Sequence, residues 1–71
     1  MKLQAQILVD REDKIRWLVT QSDENDTKGY FIYYHISDNT AFDTWHKSLD
    51  EAYHAAQTKY GILKEDWIAI Q

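Results

Sequence analysis

The chain predicts an α+β fold, an antiparallel meander of about four strands with one α-helix packed on one face. Three observations predict it. Runs of alternating apolar and polar residues fill the first part of the chain. An aromatic and β-branched stretch, "YFIYYHI" at residues 30–36, follows them. A helix signature then opens at Ser48 and closes at Gly61.

Residues 3–9, "LQAQILV", place Leu3, Ala5, Ile7 and Val9 on one side and Gln4, Gln6 and Leu8 on the other, the pattern of a half-buried strand. "DRED", residues 10–13, is a charged connection of hairpin length. Residues 14–21, "KIRWLVTQ", alternate again, with Ile15, Trp17 and Val19 opposed by Lys14, Arg16, Leu18 and Thr20. Residues 22–28, "SDENDTK", are the most polar stretch and are expected to form a mobile loop.

Gly29 then opens the strand at 30–36. Tyr30, Ile32, Tyr34 and Ile36 line one side, and Phe31, Tyr33 and His35 the other. Both sides are apolar, which predicts a central strand with a neighbour on each edge. "SDNT" at 37–40 is rich in turn formers, and "AFDTW" at 41–45 returns as a fourth strand.

Ser48 and Glu51 form the S-x-x-E capping box, in which the Ser hydroxyl accepts from the Glu51 amide and the Glu51 carboxylate returns to the amide of Ser48. Asp50 and Glu51 fall in the first turn, where the helix dipole favours negative charge. Leu49, Ala52, Tyr53, Ala56 and Tyr60 then make one helical stripe of about three turns. Gly61 is placed to stop the helix in the left-handed conformation. After it, Trp67, Ile68 and Ile70 fit either a short fifth strand or a tail packed over the core.

A helix of about twelve residues is roughly 18 Å long, and four strands at about 4.8 Å spacing make a sheet of similar width. One helix therefore covers one face. Phe31, Tyr33, Leu8 and Leu18, on the minority side of their strands, are expected to form a second apolar surface. The C-terminal segment, curl of the sheet or another molecule could cover it, and left open it would be a binding site.

Composition narrows the function classes. A chain of 71 residues makes a single domain, residues 1–71, near the lower limit for folding without staples. It has no Cys, which excludes disulfides and thiolate zinc sites. Stability must come from a core, and 44% apolar residues with three Trp, five Tyr and two Phe can supply one. The net charge of −4 argues against nucleic-acid phosphates and anionic membranes as partners, since both demand clustered Lys and Arg. No stretch has transmembrane length or the pattern of a signal peptide, so the default expectation is a cytoplasmic protein.

"DTWHKSLDEAYHAA", residues 43–56, holds the densest polar chemistry. Asp43, His46 and Ser48 could be read as a nucleophilic triad, but the Ser48 oxygen has a capping role and no glycine lies between Gly29 and Gly61 to build an oxyanion turn. A metal site could draw on His46, Asp43, Asp50 and His54, but His46 and His54 are eight residues apart, not the four that put two ligands on one helical face. Asp10, Glu12, Asp13 and Asp38 lack the spacing of a calcium loop and read as a solvated rim. The aromatic strand superficially resembles a base-stacking sheet, but acids stand where such a sheet carries Lys and Arg. Trp17, Trp45 and Trp67 are read first as core and second as interface anchors. No cofactor is expected.

Residues 29–67 as a whole resemble a pattern found in small uncharacterised bacterial proteins. In that pattern an aromatic strand leads to D-T-W-H, a capped L-x-E-A helix, a Y-G stop and a downstream Trp. The matching residues are Asp43, Thr44, Trp45, His46, Ser48, Leu49, Glu51, Ala52, Tyr60, Gly61 and Trp67. The resemblance implies a bacterial cytosolic setting and a recurring fold, and it brings no functional residue with it.

The function expected on these grounds is a non-enzymatic protein-interaction module. Its contact surface would include Phe31, Tyr33, His35, Leu8 and Leu18, and its partner would be an unknown protein or a second copy in a homodimer. The alternative is a small enzyme or metal-binding protein using Asp43 and His46, and the third reading is nucleic-acid binding.

Overall fold

Local signals produce the elements, and cross-strand pairing assembles them. In a computed structural model, which describes residues 1–23 and 28–70, the strands are β1 (Lys2–Gln6), β2 (Trp17–Ser22), β3 (Tyr30–Ser37) and β4 (Thr40–His46). The helix α1 (Leu49–Tyr60) follows, then a 3-10 turn at Lys64–Asp66 and a short β5 (Ile68–Ala69). The sheet order is β4-β3-β2-β1-β5, antiparallel throughout, with α1 packed on one face. This is the α+β meander with a fifth strand at its end. Residues 24–27, the middle of the polar loop expected at 22–28, and residue 71 lie outside the described residues.

The helix begins and ends where its flanking residues dictate. Glu51 donates its backbone N–H to the Ser48 hydroxyl at 3.1 Å, and Ser48 itself is extended. The return half of the expected box is not formed. The Glu51 carboxylate turns instead to Lys47, with 3.6 Å between Nζ and Oε2. At the other end Gly61 has φ 71 and donates its N–H to the Gln57 carbonyl at 2.9 Å, a left-handed stop. Ile62 is thereby turned back into the core beside the sheet.

The stripe residues Ala52 and Ala56 are buried against the sheet. Their small side chains let the helix approach closely. Ala5, Ile15, Leu18, Ile32, Tyr34, Ile62 and Trp67 complete the core. The rings of Tyr34 and Tyr60 meet at 5.8 Å, and those of Tyr53 and Trp67 at 6.1 Å. Trp67 thus serves as core, as expected, and pins the chain so that Ile68 and Ala69 pair with Gln4 and Leu3.

The first hairpin departs from the expected boundaries. β1 stops at Gln6 and β2 starts at Trp17, although the Ile7 N–H still donates to the Arg16 carbonyl at 2.9 Å. Between them Lys14 donates its N–H to the Arg11 carbonyl at 3.1 Å and adopts φ 65. The alternation expected for residues 14–21 breaks just after Lys14, between Ile15 and Trp17, where the Arg16 N–H also donates to the His35 carbonyl at 2.8 Å. Ile15 enters the core, whereas Trp17 and Val19 take the opposite face. The Asp13 carboxylate holds the turn, accepting from the Ile15 N–H at 3.1 Å and from Arg11 Nε at 3.2 Å.

Two residues expected on the second apolar surface are placed elsewhere. Leu18 pairs with Ala5 and Tyr34, and so lies fully buried under the helix. Both sides of β2 are apolar, so periodicity could not say which faces inward; the register with β1 and β3 decides it. Leu8 lies beyond the end of β1 and is 92% exposed.

Candidate functional site: the open face of the sheet

Side chains alternate across a pleated sheet, and directly paired residues share a face. The registers therefore define the face away from α1. Lys2, Gln4 and Gln6 of β1 lie on it beside Trp17, Val19 and Gln21 of β2. Phe31, Tyr33 and His35 of β3 come next, and Ala41, Asp43 and Trp45 of β4 close the row. Among the described residues no element packs over this face.

Its centre is aromatic. Trp17 and His35 are cross-strand partners whose rings stack at 4.9 Å with a 6° interplanar angle. His35 Nδ1 donates to the Ser37 carbonyl at 3.3 Å, which fixes the plane of that ring. Phe31 and Tyr33 meet at 5.8 Å along β3, and Trp45 stands opposite Phe31. Gln4, Gln6 and Gln21 lie around this centre, so apolar rings are bordered by polar amides, the usual anatomy of a recognition surface. A shallow depression of about 430 Å³ runs over Gln4, Trp17, Val19, Tyr33 and His35.

Phe31, Tyr33 and His35 thus come together where the sequence predicts a surface. Trp17 and Trp45 belong with them and were expected first in the core; Trp45 is 46% exposed. Strand alternation places Trp17 opposite Leu18 but does not decide which of the two is buried. Leu8 contributes to a different concavity, a cleft of about 440 Å³ at the sheet edge. That cleft exists because β5 pairs only with Leu3 and Gln4 and leaves the rest of β1 uncovered.

The structure separates the residues considered for chemistry. Asp43 pairs with Tyr33 on the open face, whereas His46 pairs with Tyr30 on the helix face, so the two point to opposite sides of β4. His46 Nε2 lies 2.8 Å from Thr44 Oγ1, which in turn is 2.7 Å from the Tyr34 hydroxyl. The Ser48 hydroxyl is engaged at the start of α1. His54 is exposed on α1, 3.5 Å from Thr58 Oγ1, and Asp50 pairs with Lys64 at 3.7 Å. Among the described residues no three His, Cys, Asp or Glu side chains gather to hold a metal ion. None of the described helices is long and apolar enough to cross a membrane.

The groups with displaced pKa values lie away from this face. The hydrogen bond from the Ile15 amide holds the Asp13 carboxyl below the ordinary carboxylate range; desolvation opposes it, and Arg11 and Lys59 add to the lowering. Burial, and then the nearby Asp13 charge, push the Tyr60 phenol above its ordinary value. Arg11 ties the pair together, its guanidinium 4.4 Å above the Tyr60 ring. This cluster fastens the first hairpin to the end of α1. No known protein family, curated protein or solved structure matches the chain significantly.

Proposed function

We propose that the protein is a non-enzymatic interaction module that binds a protein partner through the open face of its sheet, in the bacterial cytosolic setting that its sequence pattern implies. The observation that carries this reading is the aromatic centre made by Trp17, Phe31, Tyr33 and Trp45, over which no described element packs. Aromatic side chains bring large contact area at low entropic cost and dominate interface energetics. The acidic composition favours a protein partner over a phosphate backbone.

The test is a photo-crosslinking amino acid at Tyr33, compared with one at exposed His54 on α1. The reading expects adducts from Tyr33 and few from His54. The adduct partner, purified and titrated, should lose affinity on Tyr33→Glu and keep it on His54→Glu. Equal crosslinking at the two sites, or binding indifferent to Tyr33→Glu, would sink it.

A further inference from the structure

Among the described residues, Lys2 and Asp43 are the only Asp, Glu, Lys or Arg that the strands place on the open face. They lie on opposite flanks of the aromatic centre, Lys2 on β1 and Asp43 on the outermost strand β4. Among the described residues neither is in an ion pair. Asp38, in the turn between β3 and β4, also lines the depression on this face, so the face carries a cation on its β1 side, anions on its β3–β4 side and aromatic rings between them.

Such a surface is complementary to itself under one particular symmetry. Let two copies face each other across a two-fold axis parallel to the strands, passing over the centre between β2 and β3. The axis carries β4 of each copy over β1 of the other and keeps every residue at its own level along the strands. Lys2 is level with Trp45, through the pairs Lys2–Gln21, Gln21–Phe31 and Phe31–Trp45. It would thus meet the second copy's Trp45 ring, one pleat from that copy's Asp43 carboxylate, where an ammonium gains both a cation–π contact and an ion pair. The contact occurs twice. A two-fold perpendicular to the strands instead places β4 over β4 with the levels reversed, setting Asp43 against Asp43 and Lys2 over Gln6, so that no opposite charges meet.

We infer that the open face binds a second copy of this chain, as a C2 dimer whose axis runs parallel to the strands. This rests on the reading of that face as the contact surface and names its occupant. The size of the face sets the strength. Four strands about 4.8 Å apart and about seven residues long make roughly 440 Å² per copy. Roughly 900 Å² for two copies is at the low end for specific association. The dimer is weak and forms at high protein concentration.

Sedimentation equilibrium up to roughly millimolar protein gives the first test. Exposed ion pairs are each worth about 0.2–1 kcal/mol. Lys2→Glu and Asp43→Lys alone, each turning two attractions into repulsions, should weaken the dimer about fivefold. Combined in one chain they should recover affinity relative to Lys2→Glu alone, because the reversed pair is again complementary, while the cation–π contact of Lys2 with Trp45 stays lost. A second measurement does not depend on these variants. The chain has no Cys, so a nitroxide on Asn39→Cys in the β3–β4 turn is a single label. Mixed with isotopically labelled unmodified chain, it should broaden the Ile7 amide of the other copy and spare His46.

Broadening at His46 with Ile7 spared, failure of the double variant to recover, or a monomer at millimolar concentration each overturns the inference. The crosslinking contrast between Tyr33 and His54 decides the broader reading separately. A monomer whose Tyr33 captures a different protein removes the dimer and leaves the module.

Discussion

The indole of Trp45 lies over Gly29, in the space that a β-carbon on residue 29 would need. Glycine at the start of a strand leaves backbone uncovered, and a cross-strand aromatic ring covers it. The pair closes one end of the open face, just before β3 begins.

This relationship gives a double-mutant expectation. Gly29→Ala drives the ring aside at a cost of about 1–2 kcal/mol, and the Trp45 indole N–H resonance should shift. In a Trp45→Ala background the same substitution should cost almost nothing, because the obstructing atoms belong to that ring. Urea titrations of the four proteins measure the coupling. Equal cost in both backgrounds would show that residue 29 is limited by its backbone rather than by Trp45.

The half-formed capping box makes a second contrast. Ser48→Ala removes the acceptor of the Glu51 N–H and should destabilise the fold by about 1 kcal/mol. Glu51→Gln loses only an exposed contact with Lys47 and part of a dipole interaction, about 0.5 kcal/mol or less. Chemical denaturation distinguishes these. Equal losses would mean that the return bond to the Ser48 amide exists in solution.

Thr20 is fully buried between Leu3 and Ile32, and its hydroxyl has no hydrogen-bond partner among the described residues. A buried unpaired hydroxyl costs about 1–3 kcal/mol. Thr20→Val keeps the shape and the β-branching and removes the polar atom. It should raise stability by about 1 kcal/mol, read as a higher denaturation midpoint with unchanged slope. A lower midpoint would show that the hydroxyl is satisfied.

The Asp13–Arg11–Tyr60 cluster contributes to both limbs of the stability–pH profile. The Asp13 pKa is lowered in the fold, so its contribution is present above about pH 3.9 and is lost as pH falls through the lowered value. The Tyr60 pKa is raised, so its contribution is full below about pH 10 and is lost as pH rises through the raised value. Asp13→Asn should make the acid limb shallower, and Tyr60→Phe the alkaline limb. Denaturation midpoints across pH check both, and an acid limb identical in Asp13→Asn would refute the assignment.

The elements that depend on neighbours along the chain are legible in the residues alone. The Ser48 hydroxyl and Gly61 bound α1 through bonds spanning three and four residues, and a short polar turn between β3 and β4 needs no distant partner. Alternation likewise grouped Phe31, Tyr33 and His35 on one side of β3. Which side of β2 is buried follows instead from pairing between distant strands, which puts Leu18 under the helix and Trp17 outside it. That pairing also chooses the strand over the tail for Ile68 and Ala69, and sets Lys2 and Asp43 on opposite flanks of one face. The physical reason is range. Capping and turn hydrogen bonds are made between residues a few positions apart, whereas sheet register is set by pairing between distant segments, and a slip of one residue turns every side chain to the other face.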